Sequence, residues 1–213
     1  MNSSQYLIIL FLVISLAFAA GCTQGSGTSV PATPAPPPTP LESLVLSQSE
    51  VPQNFTLVES RAKNSTDVGQ LAMALGWQDG FVVRFTRPAD GEHGPVVILQ
   101  TITRYPPKNI PGITELIEKQ ERADSNMTFS NLSSPALGSY SQAFSGTAIT
   151  RIIQQPDPVN PQENVLVLGT IQQDFIEIIF SKGDILEILR LTGPEPDLST
   201  LTSLAQKAYN KIP

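Results

Sequence analysis

Chemistry has few places to sit in this chain. Its 213 residues include one histidine and one cysteine. A zinc site of the usual Cys/His type needs several such ligands, and an internal disulfide needs a pair of thiols. Neither can be built. A catalytic triad would hang on His93 alone. His93 lies in the run Asp90-Gly91-Glu92-His93-Gly94, where Asp90 and Glu92 could approach a common cation. That spacing matches no calcium loop and no zinc signature, so a solvated hairpin tip is expected and no metal. Glu177 and Glu187 are the carboxylates to weigh as an acid and a base. The strand register derived below sends them to opposite faces of a sheet. No Gly-rich phosphate loop, nucleophile elbow or Walker sequence occurs. Catalytic, cofactor and metal residues are therefore expected to be none. With 13 Lys+Arg against 19 Asp+Glu and a pI near 4.8, the chain lacks the basic footprint of a nucleic-acid binder.

The cysteine is more informative. No Asp, Glu, Lys or Arg precedes Glu42. Within that uncharged stretch, residues 7–20 read LIILFLVISLAFAA. This is shorter than the roughly 20 apolar residues that span a bilayer. It fits the apolar region of an export signal, about 7–15 residues. Ala19-Ala20-Gly21-Cys22 follows: small side chains suited to a peptidase pocket, then a thiol able to carry a diacylglyceryl group. This segment resembles the lipobox of prokaryotic lipoprotein precursors. Ala19 stands where Leu is preferred, and residues 1–6 carry no Lys or Arg. The resemblance implies a signal peptide over 1–21 and lipidation of Cys22 as the first mature residue. The alternative is an uncleaved anchor helix from Tyr6 to Gly21. Either way the chain is tethered to the extracytoplasmic face of the membrane. Two acyl chains on one residue hold stably where one does not.

Residues 22–41 form a linker rich in Pro, Thr, Gly and Ser, with six of the 19 prolines between Pro31 and Pro40. At a polyproline II rise of about 3.1 Å per residue, the part from Thr23 to Pro40 would reach roughly 50 Å. Asn54, Asn64, Asn126 and Asn131 each begin an Asn-x-Ser/Thr sequon, acceptor sites for N-glycans on an exported protein.

Residues 42–213 are enough for a single domain with its own core. Thr66-Asp67 is expected to cap a short helix that ends at Gly76. Phe81, Val83 and Phe85 alternate as a strand does, and Val96–Arg104 forms a second strand beyond the break at Pro88–Pro95. A helix is expected from Gly112 to Asp124, with Glu118 and Arg122 paired across one turn. Ser125–Pro135 reads as a polar loop. Strands are expected at Gly138–Phe144 and Thr147–Gln154 around a Ser145-Gly146 turn, and another at Val165–Ile171. Phe175–Ser181 and Ile185–Leu191 flank Gly183-Asp184, which suits a two-residue hairpin loop with Glu177 opposite Arg190. Asp197 should cap a final helix with the apolar stripe Leu198, Leu201, Leu204, Ala205, Ala208.

No regular βαβ alternation appears, so the expected class is α+β, an antiparallel sheet packed by helices. The element order and the closing hairpin-plus-helix, IIFSKGDILEILRLTG then LSTLTSLAQKAYNKI, are similar to the Mog1/PsbP-like fold. That resemblance implies architecture and carries no catalytic motif. The function expected is a membrane-anchored lipoprotein with a non-catalytic domain that binds a ligand or a protein partner. The alternatives are a structural or accessory subunit of an envelope complex and, less favoured, a hydrolase with an unrecognised site.

Overall fold

The computed structural model describes residues 37–89, 94–124, 127–152, 155–156, 164–165 and 169–213. The chain divides after Pro37, and the unit Pro38–Pro213 carries every element below. In chain order these are β1 (Thr56–Ala62), α1 (Gln70–Ala74), β2 (Asp79–Arg87), β3 (Val96–Arg104) and α2 (Ile110–Ala123). Then come β4 (Met127–Leu132), β5 (Tyr140–Ile152), the two-residue strands β6 (Gln155–Pro156) and β7 (Asn164–Val165), β8 (Gly169–Lys182), β9 (Ile185–Thr192) and α3 (Leu198–Lys211). Seven strands make one sheet in the order β1-β2-β3-β9-β8-β5-β4. Every neighbouring pair is antiparallel. This is compatible with the α+β class expected.

Apolar side chains alternate between the two faces of the sheet, and both faces are covered. One face carries Val83, Phe85, Ile98, Ile102, Phe180 and Leu189. Against it pack α3, through Leu201, Leu204, Ala205 and Ala208, and an irregular strap over residues 41–55. The strap buries Leu41, Leu44, Val45, Leu46, Val51 and Phe55. Each such burial is worth about 1.5–3 kcal/mol, so the strap belongs to the core and not to the linker. The other face carries Phe144, Ile179 and Leu186 beneath Ile113 of α2, with Ala72 and the half-buried Trp77 at its margin.

The hairpin β8–β9 has the expected register. Lys182 pairs with Ile185, which leaves Gly183-Asp184 as the loop, and Gly183 has φ +61°. Only the first loop position has positive φ, as a type II′ turn requires. Glu177 lies opposite Arg190, whose Nε donates to it at 2.6 Å. Arg190 also stacks over the Phe175 ring at 4.6 Å. The β2–β3 hairpin and the Glu118–Arg122 pair are present as expected.

Several expectations are corrected. The cap at residues 64–67 is Asn64, which accepts from Thr66 and Asp67 amides and closes a 3-10 turn, Ser65–Asp67; α1 starts later, at Gln70. The second helix begins at Ile110, two residues early, because Pro111 is tolerated in a first turn. The polar loop expected at Ser125–Pro135 contains an edge strand, β4. Phe129 anchors it by edge contacts with Phe144 and Phe175 at 6.3 and 5.5 Å, while its Ser, Thr and Asn side chains face solvent. Ser145-Gly146 is not a turn, since β5 runs through it unbroken. A Cβ on Gly146 would lie 2.0 Å from the Thr128 carbonyl oxygen and 2.7 Å from the Phe175 ring. That glycine marks a close approach between strands. Strand β1 has no counterpart among the expected elements. The stretch Val165–Ile171 is not one strand: Val165 ends β7, which pairs with β6 in a separate two-stranded sheet, residues 166–168 lie outside the described residues, and Gly169 opens β8 of the large sheet.

Asp197 caps α3 as expected, accepting from the Ser199 and Thr200 amides at 3.1 and 2.8 Å. Hydrogen bonds from the Thr200 and Ser199 hydroxyls, with those amides, hold its carboxyl far below the usual range. Asp197→Ala is expected to lower the thermal midpoint by a few degrees, and Asp197→Asn to recover most of the loss. A thermal melt of the three proteins checks this.

Candidate functional site

Of the residues singled out for chemistry, Glu177 and Glu187 fall within the described residues. Asp90, Glu92, His93, Cys22 and Asn126 lie outside the described residues. Among the described residues, no three His, Cys, Asp or Glu side chains are placed to hold a metal ion. Glu177 and Glu187 sit on opposite faces of the sheet: Glu177 shares its face with Phe175 and Ile179, Glu187 with Ile185 and Leu189. They cannot act on one substrate.

Glu187 has a strongly perturbed carboxyl. It is fully buried, and burial pushes it up to about 8 against the opposing hydrogen bond from Gln100 and the positive charge of Lys211. Gln100 Nε2 donates to Glu187 Oε1 at 2.5 Å, and Gln100 Oε1 accepts the Leu46 amide at 2.7 Å. Glu187 Oε2 has no hydrogen-bond partner. A raised carboxyl suggests catalysis when it lines a cleft. This one faces the packed underside of the strap, and its reach ends on a glutamine that pins the backbone. Sequence reasoning did not find Gln100. The available signal was a lone amide inside the apolar strand VVILQTITR.

The strap is fastened from several sides. Lys211 Nζ donates to the Val45 carbonyl and to Glu50 Oε2, the latter at 2.9 Å. Lys207 Nζ donates to the Glu50 carbonyl at 2.7 Å. Burial works to raise the Glu50 carboxyl, but bonds from Lys211 and Ser47 hold it below the usual carboxylate range. At its entry, Arg104 Nη2 donates to the Thr39 carbonyl at 2.8 Å. The buried Arg104 also forms ion pairs with Asp79 and Asp184 at 2.9 and 3.0 Å.

Between strap and helix runs a groove of about 390 Å³, lined by Ser49, Glu50, Pro52, Ser199, Ser203 and Lys207 among others. Elements with separate tasks build it. The start of α3 supplies hydroxyls because Ser and Thr favour helix beginnings. The strap supplies a carboxylate already neutralised by Lys211. The groove offers hydrogen-bonding hydroxyls beside one ammonium, and both charged groups lining it are already engaged. Such a lining can hold a polar ligand or an extended peptide. It has no activated nucleophile.

The sheet edges are the other exposed feature. Apart from half-buried Glu59, every residue of β1 is exposed. Leu57 and Val58 there, with Leu71 and Met73 of α1, are four of the large apolar residues left in solvent. Asn54 and Asn64 flank β1, and Asn131 lies within β4; all three are exposed. No helix of the described residues is long and apolar enough to cross a membrane.

No protein-family model, curated protein or solved structure matches this chain. The functional reading therefore rests on its own residues.

Proposed function

We propose that this chain is a lipoprotein held at the extracytoplasmic face of the membrane through Cys22, with a domain that binds a polar ligand or a partner and performs no catalysis. The strap–α3 groove carries the binding half of this reading: a hydroxyl-lined cleft whose Lys207 and Glu50 are committed to structural contacts. The lipobox-like Ala19-Ala20-Gly21-Cys22 carries the placement. The uncharged, proline-rich linker supports it by holding a domain away from the bilayer.

Two experiments test the halves separately. Cys22→Ser is expected to move the chain from the membrane fraction to the soluble fraction and to remove the diacylglyceryl mass from its N-terminal peptide. An unmodified Cys22 in the wild-type chain refutes the anchor. For binding, the chain is isolated from native membranes beside a Ser203→Tyr variant whose groove is filled. A companion bound to the wild type and lost from the variant is the expected result. Recovery of no companion, together with turnover of a substrate, refutes the non-catalytic reading.

A further inference from the structure

We propose that N-linked glycans on Asn54, Asn64 and Asn131 cover the two end strands of the sheet, β1 and β4. The inference rests on the extracytoplasmic placement proposed above, because the transfer needs a lipid-linked glycan donor outside the cytoplasm.

The seven-stranded sheet ends in β1 on one side and β4 on the other. An end strand presents unpaired N–H and C=O groups that recruit further strands, and proteins blunt such edges with charge, proline, bulges or cover. Here the blunting is uneven. Strand β1 has a register shift between Leu57 and Glu59 and carries Glu59 and Arg61, yet it leaves Leu57 and Val58 41% and 58% exposed. Strand β4, MTFSNL, has no charge and no proline. The whole chain is only 15% charged, against about 25% in an ordinary domain, so general repulsion is weak.

The sequons meet this need by position. Asn54 lies two residues before β1, Asn64 two residues after it, and Asn131 inside β4. None of the three lies on an inner strand. The side chains of Asn64 and Asn131 are also arranged for attachment. Asn64 Oδ1 accepts the Thr66 and Asp67 amides at 2.9 and 3.2 Å. Asn131 Oδ1 accepts from Arg122 Nη2 at 2.6 Å. In both, the oxygen is the engaged atom, and Nδ2 is the atom that takes the sugar. The transfer breaks the bond between the anomeric carbon and the phosphate oxygen of a polyprenyl-phosphate-linked oligosaccharide. It forms the bond from that carbon to Nδ2, releases one Nδ2 proton, and frees the polyprenyl phosphate. A hydrated glycan at each edge then occupies the space an incoming strand would need.

The test uses the full chain purified from its native membranes, with peptide mass spectrometry read at Cys22 and at the three asparagines. Expected is glycan mass on Asn131 and on Asn54 or Asn64, together with lipid on Cys22. A lipidated chain whose Asn131 is bare, or whose Asn54 and Asn64 are both bare, overturns this proposal and leaves the placement standing. A chain without lipid that is shielded from protease in intact cells overturns both. The covering role is tested with Thr56→Val, Thr66→Val and Ser133→Ala combined, which removes the sequons and keeps the asparagines. With unchanged circular dichroism, this protein is expected to lose its monomer peak in concentration-dependent light scattering. If it stays as monomeric as the glycosylated chain, the role is refuted. Should the triple variant not fold, the same comparison with Ser133→Ala alone at the β4 edge decides it.

Discussion

Raising the pH from about 4.5 to about 8 is expected to weaken the folded domain, because Glu187 is pushed up from the ordinary carboxyl value of 4.5 to about 8 by burial. A carboxyl whose folded value lies above its unfolded value binds its proton more tightly when folded. Its contribution is complete below the unfolded value and fades as pH climbs to the folded one. Each pH unit of separation is worth roughly 1 kcal/mol, so the total is a few kcal/mol, large beside a typical net stability of about 5–15 kcal/mol. Asp67, Asp197 and Glu50 are shifted the other way, by hydrogen bonds to Asp67 and Asp197 and by the Lys211 and Ser47 bonds that outweigh burial at Glu50. Their contributions vanish as pH falls. Stability should therefore peak in mild acid. Urea midpoints at pH 5.5 and 8.5 check this. Glu187→Gln, which keeps an acceptor for Gln100, should flatten the alkaline decline. A wild-type midpoint indifferent to pH over that interval would sink the argument.

The second large effect is expected at Gly146. An added methyl at this position would stand 2.0 Å from the Thr128 carbonyl oxygen, so the two strands cannot keep their spacing. Gly146→Ala is expected to cost more than about 3 kcal/mol, beyond ordinary overpacking, and to strip hydrogen-exchange protection from β4 before the rest of the sheet. Ser145→Ala next door should change little. If Gly146→Ala melts with the wild type, the strand does not pass through that residue, and the turn reading of Ser145-Gly146 is restored.

What could be read from the sequence follows from which physics writes a pattern. The β8–β9 hairpin was legible because Gly183 permits one specific turn and the Glu177–Arg190 pair selects one register. Helix α3 was legible because Asp197 marks its start and one apolar stripe runs its length. Strand β1 was not, because it is exposed on both faces and no alternation of burial is imposed on it. Strand β4 was hidden by its Ser, Thr and Asn residues, which look like a loop although Phe129 and Leu132 anchor the strand. The strap was invisible for a further reason. Its backbone is satisfied by side chains distant in sequence, Gln100, Lys207 and Lys211, and not by a repeating ladder. The groove it forms with α3 inherits that invisibility, since neither wall alone suggests the other. The separation of Glu177 and Glu187 was legible because opposite faces follow from the register alone.

The grip of Arg104 on the Thr39 carbonyl has a mechanical meaning. Thr39 stands near the point where the preceding chain joins the folded unit, and Arg104 belongs to β3, near the middle of the sheet. Through Asp79 and Asp184 the same guanidinium is tied to β2 and to the β8–β9 turn. If the chain is tethered through Cys22 as proposed, drag on the domain from flow or from a bound mass would reach this knot before it could unzip a border strand. The load would be divided among interior strands that must slide together to fail.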